Sequence, residues 1–110
     1  MAKVKIRYWK EIPVSVHVSS ENDRANLPLP KIYMVTVDAV ATKTGLTGSG
    51  AYLAGFRTET CEQAGAAQTI AETVVADLRA RYPAAWLRDQ RRSAGIGPEV
   101  ESQIDAEARE

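Results

Sequence analysis

The sequence predicts an α+β fold, a three-stranded antiparallel sheet with helices packed on one of its faces. Residues 3–9 and 14–18 alternate apolar and polar side chains, which is typical of half-buried strands. A third alternating stretch covers residues 52–59, and the apolar residues of segment 66–82 recur at helical spacing. With a helix between the second and third strands, a right-handed crossover places the third strand beside the first.

The first two strands form a hairpin whose register follows because directly paired residues share a face. The apolar residues of the two strands must therefore pair in this way: Tyr8 with Val14, Ile6 with Val16, and Val4 with Val18. This pairing needs an odd number of loop residues. We favour a five-residue loop, residues 9–13, because it removes Pro13 from a ladder to which it could not donate. The polar segment 19–30 is predicted to be a connector.

Residues 31–44 carry two patterns. The β-branched residues between 31 and 37 favour a strand. However, Pro30 suits a first helical turn, Gly45 suits a C-cap, and the apolar residues have helical spacing, so we predict a helix. The stripe consists of Tyr33, Val37, Val40, Ala41 and Thr44.

Two more helices are predicted before the end of the chain. The helix over 66–82 has basic residues at its end, as the helix dipole prefers, and Pro83 stops it. Residues 84–92 form a short helix that docks through Trp86 and Leu87. We expect one domain over residues 1–95 and a flexible acidic tail over residues 96–110.

Composition argues against several classes of protein. The 14 basic and 14 acidic residues cancel, which argues against nucleic acid or a membrane surface as the partner. No apolar stretch approaches the roughly 20 residues of a membrane helix. The alternating start differs from a signal peptide, and the single cysteine, Cys61, rules out an internal disulfide. We expect a cytoplasmic protein.

The residues that could support catalysis are few. His17 shares a strand face with Ser15, but such neighbours lie about 7 Å apart, too far for a direct hydrogen bond without unusual rotamers. His17 and Cys61 supply two of the four ligands of a structural zinc site. The glycine-bearing segment 45–50 follows a helix and lacks the lysine of a phosphate loop. The sequence therefore predicts no catalytic residue, metal site or cofactor, and it argues against an enzyme.

Five residues outside the predicted core indicate a contact surface. Alternation places Trp9 off the apolar sheet face, at the hairpin tip, and three apolar residues lie off the helical stripe of segment 31–44. Tryptophan and methionine are favoured at the centres of interfaces. We predict partner binding by Trp9, Lys10, Ile32, Met34 and Val35.

Several segments resemble a known family. Residues 5–14, with the run Tyr-Trp-Lys-Glu-Ile-Pro, resemble the opening of the small bacterial virulence factor domain, which is also part of conserved virulence factor C. Later matching positions are Leu29, Pro30, Asp38, Gly45, Leu46, Ala51, Tyr52 and Leu53. The resemblance covers roughly residues 3–90, and Phe56 stands where the family usually has tryptophan. It implies an accessory role beside corrinoid or folate enzymes of one-carbon metabolism, by association alone.

The sequence favours two functions, and an enzyme that acts through His17 or Cys61 is a third and less favoured one. The first is a non-catalytic accessory subunit that binds another protein or a second copy of itself. The alternative is a small-ligand or anion-binding module that uses Lys5, Arg7 and the arginines near residue 90.

Overall fold

The computed structural model describes residues 1–45, 50–97 and 103–104, in which four strands and four helices form. The strands are β1 (Ala2–Trp9), β2 (Ile12–Ser19), β3 (Arg24–Pro28) and β4 (Phe56–Gln63). The helices are α1 (Lys31–Lys43), α2 (Gly50–Ala54), α3 (Ala67–Arg81) and α4 (Ala84–Ser93). The strands make one antiparallel sheet in the order β3-β2-β1-β4. The α+β class is confirmed, but the sheet has four strands where three were predicted.

The hairpin of β1 and β2 confirms part of the predicted register. Val4 lies opposite Val18 and Ile6 opposite Val16, but Tyr8 lies opposite Pro13. The predicted five-residue loop is wrong, because the chain turns within two residues and the register then shifts at a bulge. Lys10 takes a left-handed conformation in this turn, with φ of 53°, and its N–H donates to the Gly55 carbonyl at 2.7 Å.

Strand β3 lies within the segment that was predicted to be a connector. It pairs with β2 so that Ala25 lies opposite Val18 and Leu27 opposite Val16. These two residues extend the apolar face that the valines begin, which is the face we call the inner face of the sheet. Pro28 is tolerated because β3 is an edge strand.

Residues 52–59, predicted as the third strand, contain the end of the short helix α2 and only the first part of β4. Tyr52 in α2 packs on two aromatic rings, Trp9 at 5.9 Å and Phe56 at 5.5 Å between centroids. The chain then passes so close to Trp9 that a Cβ on Gly55 would lie 2.6 Å from the indole Nε1. Glycine at this position lets the chain leave α2 and enter β4 against the indole ring.

Helix α3 confirms the strongest helix prediction and covers the inner face over β2 and β3. The buried residues of α3 are Ala67, Ile70, Ala71, Val74 and Leu78. Its first turn is capped from elsewhere in the chain, because the Ala67 N–H donates to the Asp23 carboxylate at 3.0 Å.

The helices predicted over 31–44 and 84–92 are also confirmed, and they pack on one another as α1 and α4. Tyr33 donates its hydroxyl hydrogen bond to the Tyr82 carbonyl at 2.6 Å, which ties α1 to the end of α3. Arg91 is only 1% exposed, and its Nη1 donates to Thr36 Oγ1 at 2.6 Å. Buried polar contacts therefore fix the position of α1.

Two predicted segments, the glycine-bearing segment 45–50 and the tail 96–110, are only partly among the described residues. Of the glycine-bearing segment, residues 46–49 are outside the described residues. Of the predicted tail, the structure describes Ile96, Gly97, Gln103 and Ile104, and both isoleucines are buried. Within the described ranges, no helix combines the length and the apolar character needed to cross a membrane.

Candidate functional site

Trp9, the centre of the predicted contact surface, is fully buried. Its Nε1 donates to the Tyr52 carbonyl at 2.9 Å, and α2 lies over its ring. Alternation assigned the correct sheet face, but that face is covered at this end by Ile12, Phe56 and α2. The expected exposure of Trp9 is therefore wrong.

The other four predicted contact residues do not meet on one surface. Lys10 is exposed at the hairpin turn, with its Nζ 5.0 Å from the centre of the Trp9 ring. Met34 is 37% exposed and lines a groove beside the sheet. Ile32 lines a hollow between α1, α3 and α4, whereas Val35 lines another beside the C-terminal segment. Partner binding by these residues stays a prediction. The single contact surface from which it was inferred does not form, because the residues lie in separate places.

The face of the sheet opposite α3, which we call the open face, carries most of the accessible polar side chains of the strands. Because paired residues share a face, its composition follows from the register. From β3 across to β4, its three rows are Arg24, Ser19, Lys3 and Glu62; Asn26, His17, Lys5 and Thr60; and Pro28, Ser15, Arg7 and Thr58.

The open face is basic although the whole chain is neutral. Lys3, Lys5 and Arg7 follow one another on β1, all exposed, and Arg24 adds a fourth cation at the edge. Among the residues of the three rows, Glu62 is the one carboxylate. The central strand therefore presents a line of positive charge with little compensation beside it.

Three side chains on β2 and β3 form a hydrogen-bonded chain on this face. His17 Nε2 lies 2.9 Å from Ser15 Oγ, and His17 Nδ1 lies 2.9 Å from Asn26 Oδ1. An amide oxygen accepts, so Nδ1 carries a proton, and in the neutral ring with this tautomer Nε2 accepts from the Ser15 hydroxyl. The expectation that Ser15 and His17 lie too far apart is wrong, because their side chains lean toward one another along the strand.

A groove continues the open face toward the start of α1. It has a volume of about 560 Å³ and is lined by Arg7, Val14, Ser15, Pro28, Leu29, Lys31, Met34 and Phe56. The Arg7 guanidinium lies 4.6 Å from the centre of the Phe56 ring, a cation–π distance. The groove therefore combines apolar walls with cations at its rim.

The arginines near residue 90 do not join this site as one cluster. Arg91 is buried against Thr36 in α1, while Arg88 and Arg92 are exposed on α4. The anion-binding alternative thus divides into the open face, with Lys5 and Arg7, and a separate pair of helical arginines. Among the described residues, no three His, Cys, Asp or Glu side chains lie together as metal ligands would.

A family model described as virulence factor matches residues 7–89, well over half of the 110 residues. The chain belongs to this family. The matched region begins at Arg7, near the end of β1, and ends within α4. It contains β2, β3, α1, α2, β4 and α3 in full, while Lys3 and Lys5 precede it. The family name reports a phenotype and gives no chemistry. No curated protein and no solved structure matches the chain.

Proposed function

We propose that the protein is an accessory module that binds an acidic segment of a partner protein across the open face of its sheet. The observation that carries this proposal is the line of Lys3, Lys5 and Arg7 on the central strand β1. A central strand is held on both sides, so the backbone that carries these cations is already ordered and only their side chains lose freedom on binding.

The spacing of the three cations suits an extended acidic peptide. Side chains on one face of a strand lie about 7 Å apart, and alternate residues of an extended peptide have the same spacing. Glutamate or aspartate at every second position could then approach Lys3, Lys5 and Arg7 in turn. Arg7 adds geometric selectivity, because a guanidinium binds a carboxylate through two parallel hydrogen bonds.

Nucleic acid fits the open face less well. Sheet surfaces that bind single strands stack bases on exposed aromatic rings. The three rows of the open face contain no Phe, Tyr or Trp, and Phe56 beyond them is already covered by Tyr52 and Arg7. A polypeptide needs no such rings.

Catalysis by Ser15 is also less favoured. A serine, a histidine and an amide in this order activate a nucleophile in some hydrolases. In such enzymes, preorganised donors in a water-excluded site stabilise the developing oxyanion. Here the hydrogen-bonded chain lies on a sheet face that none of the described elements covers. We assign it to fixing β2 against β3.

The resemblance offers a first partner to examine, an enzyme of corrinoid or folate methyl transfer. This choice extends the proposal and rests on association alone. The chemistry of the face asks only that the partner present an extended acidic segment.

The proposal is tested with a fluorescent peptide in which glutamate alternates with alanine. We expect binding that weakens as salt rises, and a loss of at least tenfold, about 1.4 kcal/mol, for the double variant Lys5→Glu, Arg7→Glu. The matched control is Arg88→Glu with Arg92→Glu, which makes the same charge change on α4 and should bind as the wild type does. Equal losses in both variants, or unchanged binding in the first, would refute the open face as the site.

A further inference from the structure

Strand β4 forms a long, accessible edge of the sheet. It has eight residues, pairs on one side with β1, and is exposed on both faces from Arg57 to Gln63. Proteins usually shorten, cover, interrupt or charge such edges, because their unpaired backbone groups attract another strand. The charges on β4 are of both signs, Arg57 with Glu59 and Glu62, so a second β4 can complement them. β4 contains no proline. Helix α3 packs on β2 and β3, which lie toward the opposite edge of the sheet from β4.

The ladder determines which backbone groups of β4 are free. The Lys10 N–H donates to the Gly55 carbonyl, so these two residues form a hydrogen-bonded pair at the end of the ladder. Bonded and non-bonded pairs alternate in antiparallel strands, which turns the backbone groups of Arg57 and Glu59 toward β1. The N–H and C=O groups of Thr58 and Thr60 therefore point outward.

The residues whose backbone groups point outward allow β4 to pair with the β4 of a second copy of the chain. In an antiparallel pair centred on Thr58, the outward groups of Thr58 bond the same groups of a second copy. Arg57 then lies opposite Glu59 of that copy, and the twofold axis repeats this contact. Centring the pair on Thr60 instead places Glu59 opposite Cys61 and loses the charge complementarity.

We propose that a second copy of this chain adds to β4 in antiparallel orientation, with Thr58 opposite Thr58. The two sheets join into one sheet of eight strands. Within one chain Arg57 Nη1 and Glu59 Oε2 form an ion pair at 3.4 Å. The pairing sets this ion pair beside that of the copy, so that each Arg57 also lies opposite the Glu59 of the other copy. The twofold axis stands perpendicular to the sheet, so both open faces lie on the same side. The proposal uses backbone groups of the edge and is independent of what the open face binds.

The experiment compares Thr58→Pro with Thr58→Ala by light scattering after size exclusion. Proline removes an N–H that points away from β1, so the ladder within one chain keeps its bonds while the pairing edge loses a donor. We expect twice the chain mass for the wild type and for Thr58→Ala, and the mass of one chain for Thr58→Pro with an unchanged circular dichroism spectrum.

A charge exchange tests the register without changing the backbone. Arg57→Glu places like charges opposite one another and should weaken self-association at least tenfold, whereas Arg57→Glu with Glu59→Arg should restore it. This pair of variants decides the question if Thr58→Pro does not fold. A wild type that stays monomeric at all concentrations, or an exchange that restores nothing, overturns the proposal.

Discussion

Tyr8 is a buried phenol at the end of β1, where β4 lies beside it. Burial, together with repulsion of the phenolate by the Glu59 carboxylate and a hydrogen bond between Glu59 and the phenol, raises the pKa of Tyr8 to about 12. The guanidinium of Arg57, which lies in β4, packs over the Tyr8 ring at 4.3 Å from its centre. Because the pKa of Tyr8 is raised, the folded chain binds the phenol proton of Tyr8 more tightly than the unfolded chain does.

The raised pKa of Tyr8 makes part of the stability depend on alkaline pH. Below the ordinary value of 10 both states keep the proton, and the contribution is fully present; it is lost as pH rises from 10 to 12, because only the unfolded state ionises. We expect the wild type to lose on the order of 2 kcal/mol more than Tyr8→Phe over this range in urea unfolding. Tyr33 and Tyr52 also have raised pKa values and remain in both proteins, so the comparison isolates Tyr8. Equal losses would contradict the assignment.

Helix α3 depends at its start on a residue far away in sequence. Ala66 precedes the helix without a side-chain cap, and the Asp23 carboxylate accepts from the Ala67 N–H at 3.0 Å. Asp23→Ala should lower the free energy of unfolding by about 0.5–2 kcal/mol, measured with urea, because the cap and its favourable interaction with the helix dipole are both lost. Glu21→Ala removes an exposed acid from the same turn and serves as the control. A cost shared equally by the two variants would show that charge alone matters here.

The elements that the sequence predicts well are those with a long apolar stripe. Helices α1 and α3 have one, and α1 was predicted against the strand-like composition of its first turns. Helix α4 has no such stripe and was predicted from Pro83 before it and from the apolar pair Trp86 and Leu87. Strand β3 has only two inward residues and ends in proline, so its pattern is too short to distinguish it from a connector. Helix α2 has five residues, and it forms where Tyr52 packs on Trp9 and Phe56, a contact that local sequence cannot show.

In the candidate site, too, some properties could be predicted from the sequence and others could not. Alternation correctly placed Lys5 and Arg7 on the face away from the core, because parity along a strand is a local property. The burial of Trp9 on that same face depends on α2, some 43 residues later in the chain. The contact of His17 with Asn26 needs β3, which the sequence did not predict. Properties fixed by neighbours in sequence were predictable, and those fixed by neighbours in space were not.

One buried apolar cluster joins the sheet to the helices. It includes Val4 and Val16 on the inner face, Val37 in α1, Val74 in α3 and Leu87 in α4. Trp9 belongs to the same cluster although it lies at the covered end of the other face. A core shared by all of these elements predicts that the described domain unfolds as one cooperative unit.

Val74→Asp tests this unity. Val74 is 7% exposed in the layer between α3 and the sheet, so aspartate there buries a charge with no designed partner and should cost about 4 kcal/mol or more. That is a large part of the 5–15 kcal/mol typical of a domain. Thr73→Asp, at an exposed position of the same helix, makes the same acid and should cost far less.

The two variants are compared in a Trp86→Phe background, so that Trp9 is the one remaining tryptophan. Thermal melting is followed with two signals, the far-ultraviolet circular dichroism of the backbone and the fluorescence of Trp9. Because Trp9 lies on the other side of the sheet from α3, a cooperative core should shift both signals together in Val74→Asp. If Val74→Asp and Thr73→Asp have the same melting temperature, the packing of α3 on the sheet through Val74 is contradicted. If the backbone signal moves and the fluorescence does not, the α2 end of the sheet folds independently of α3.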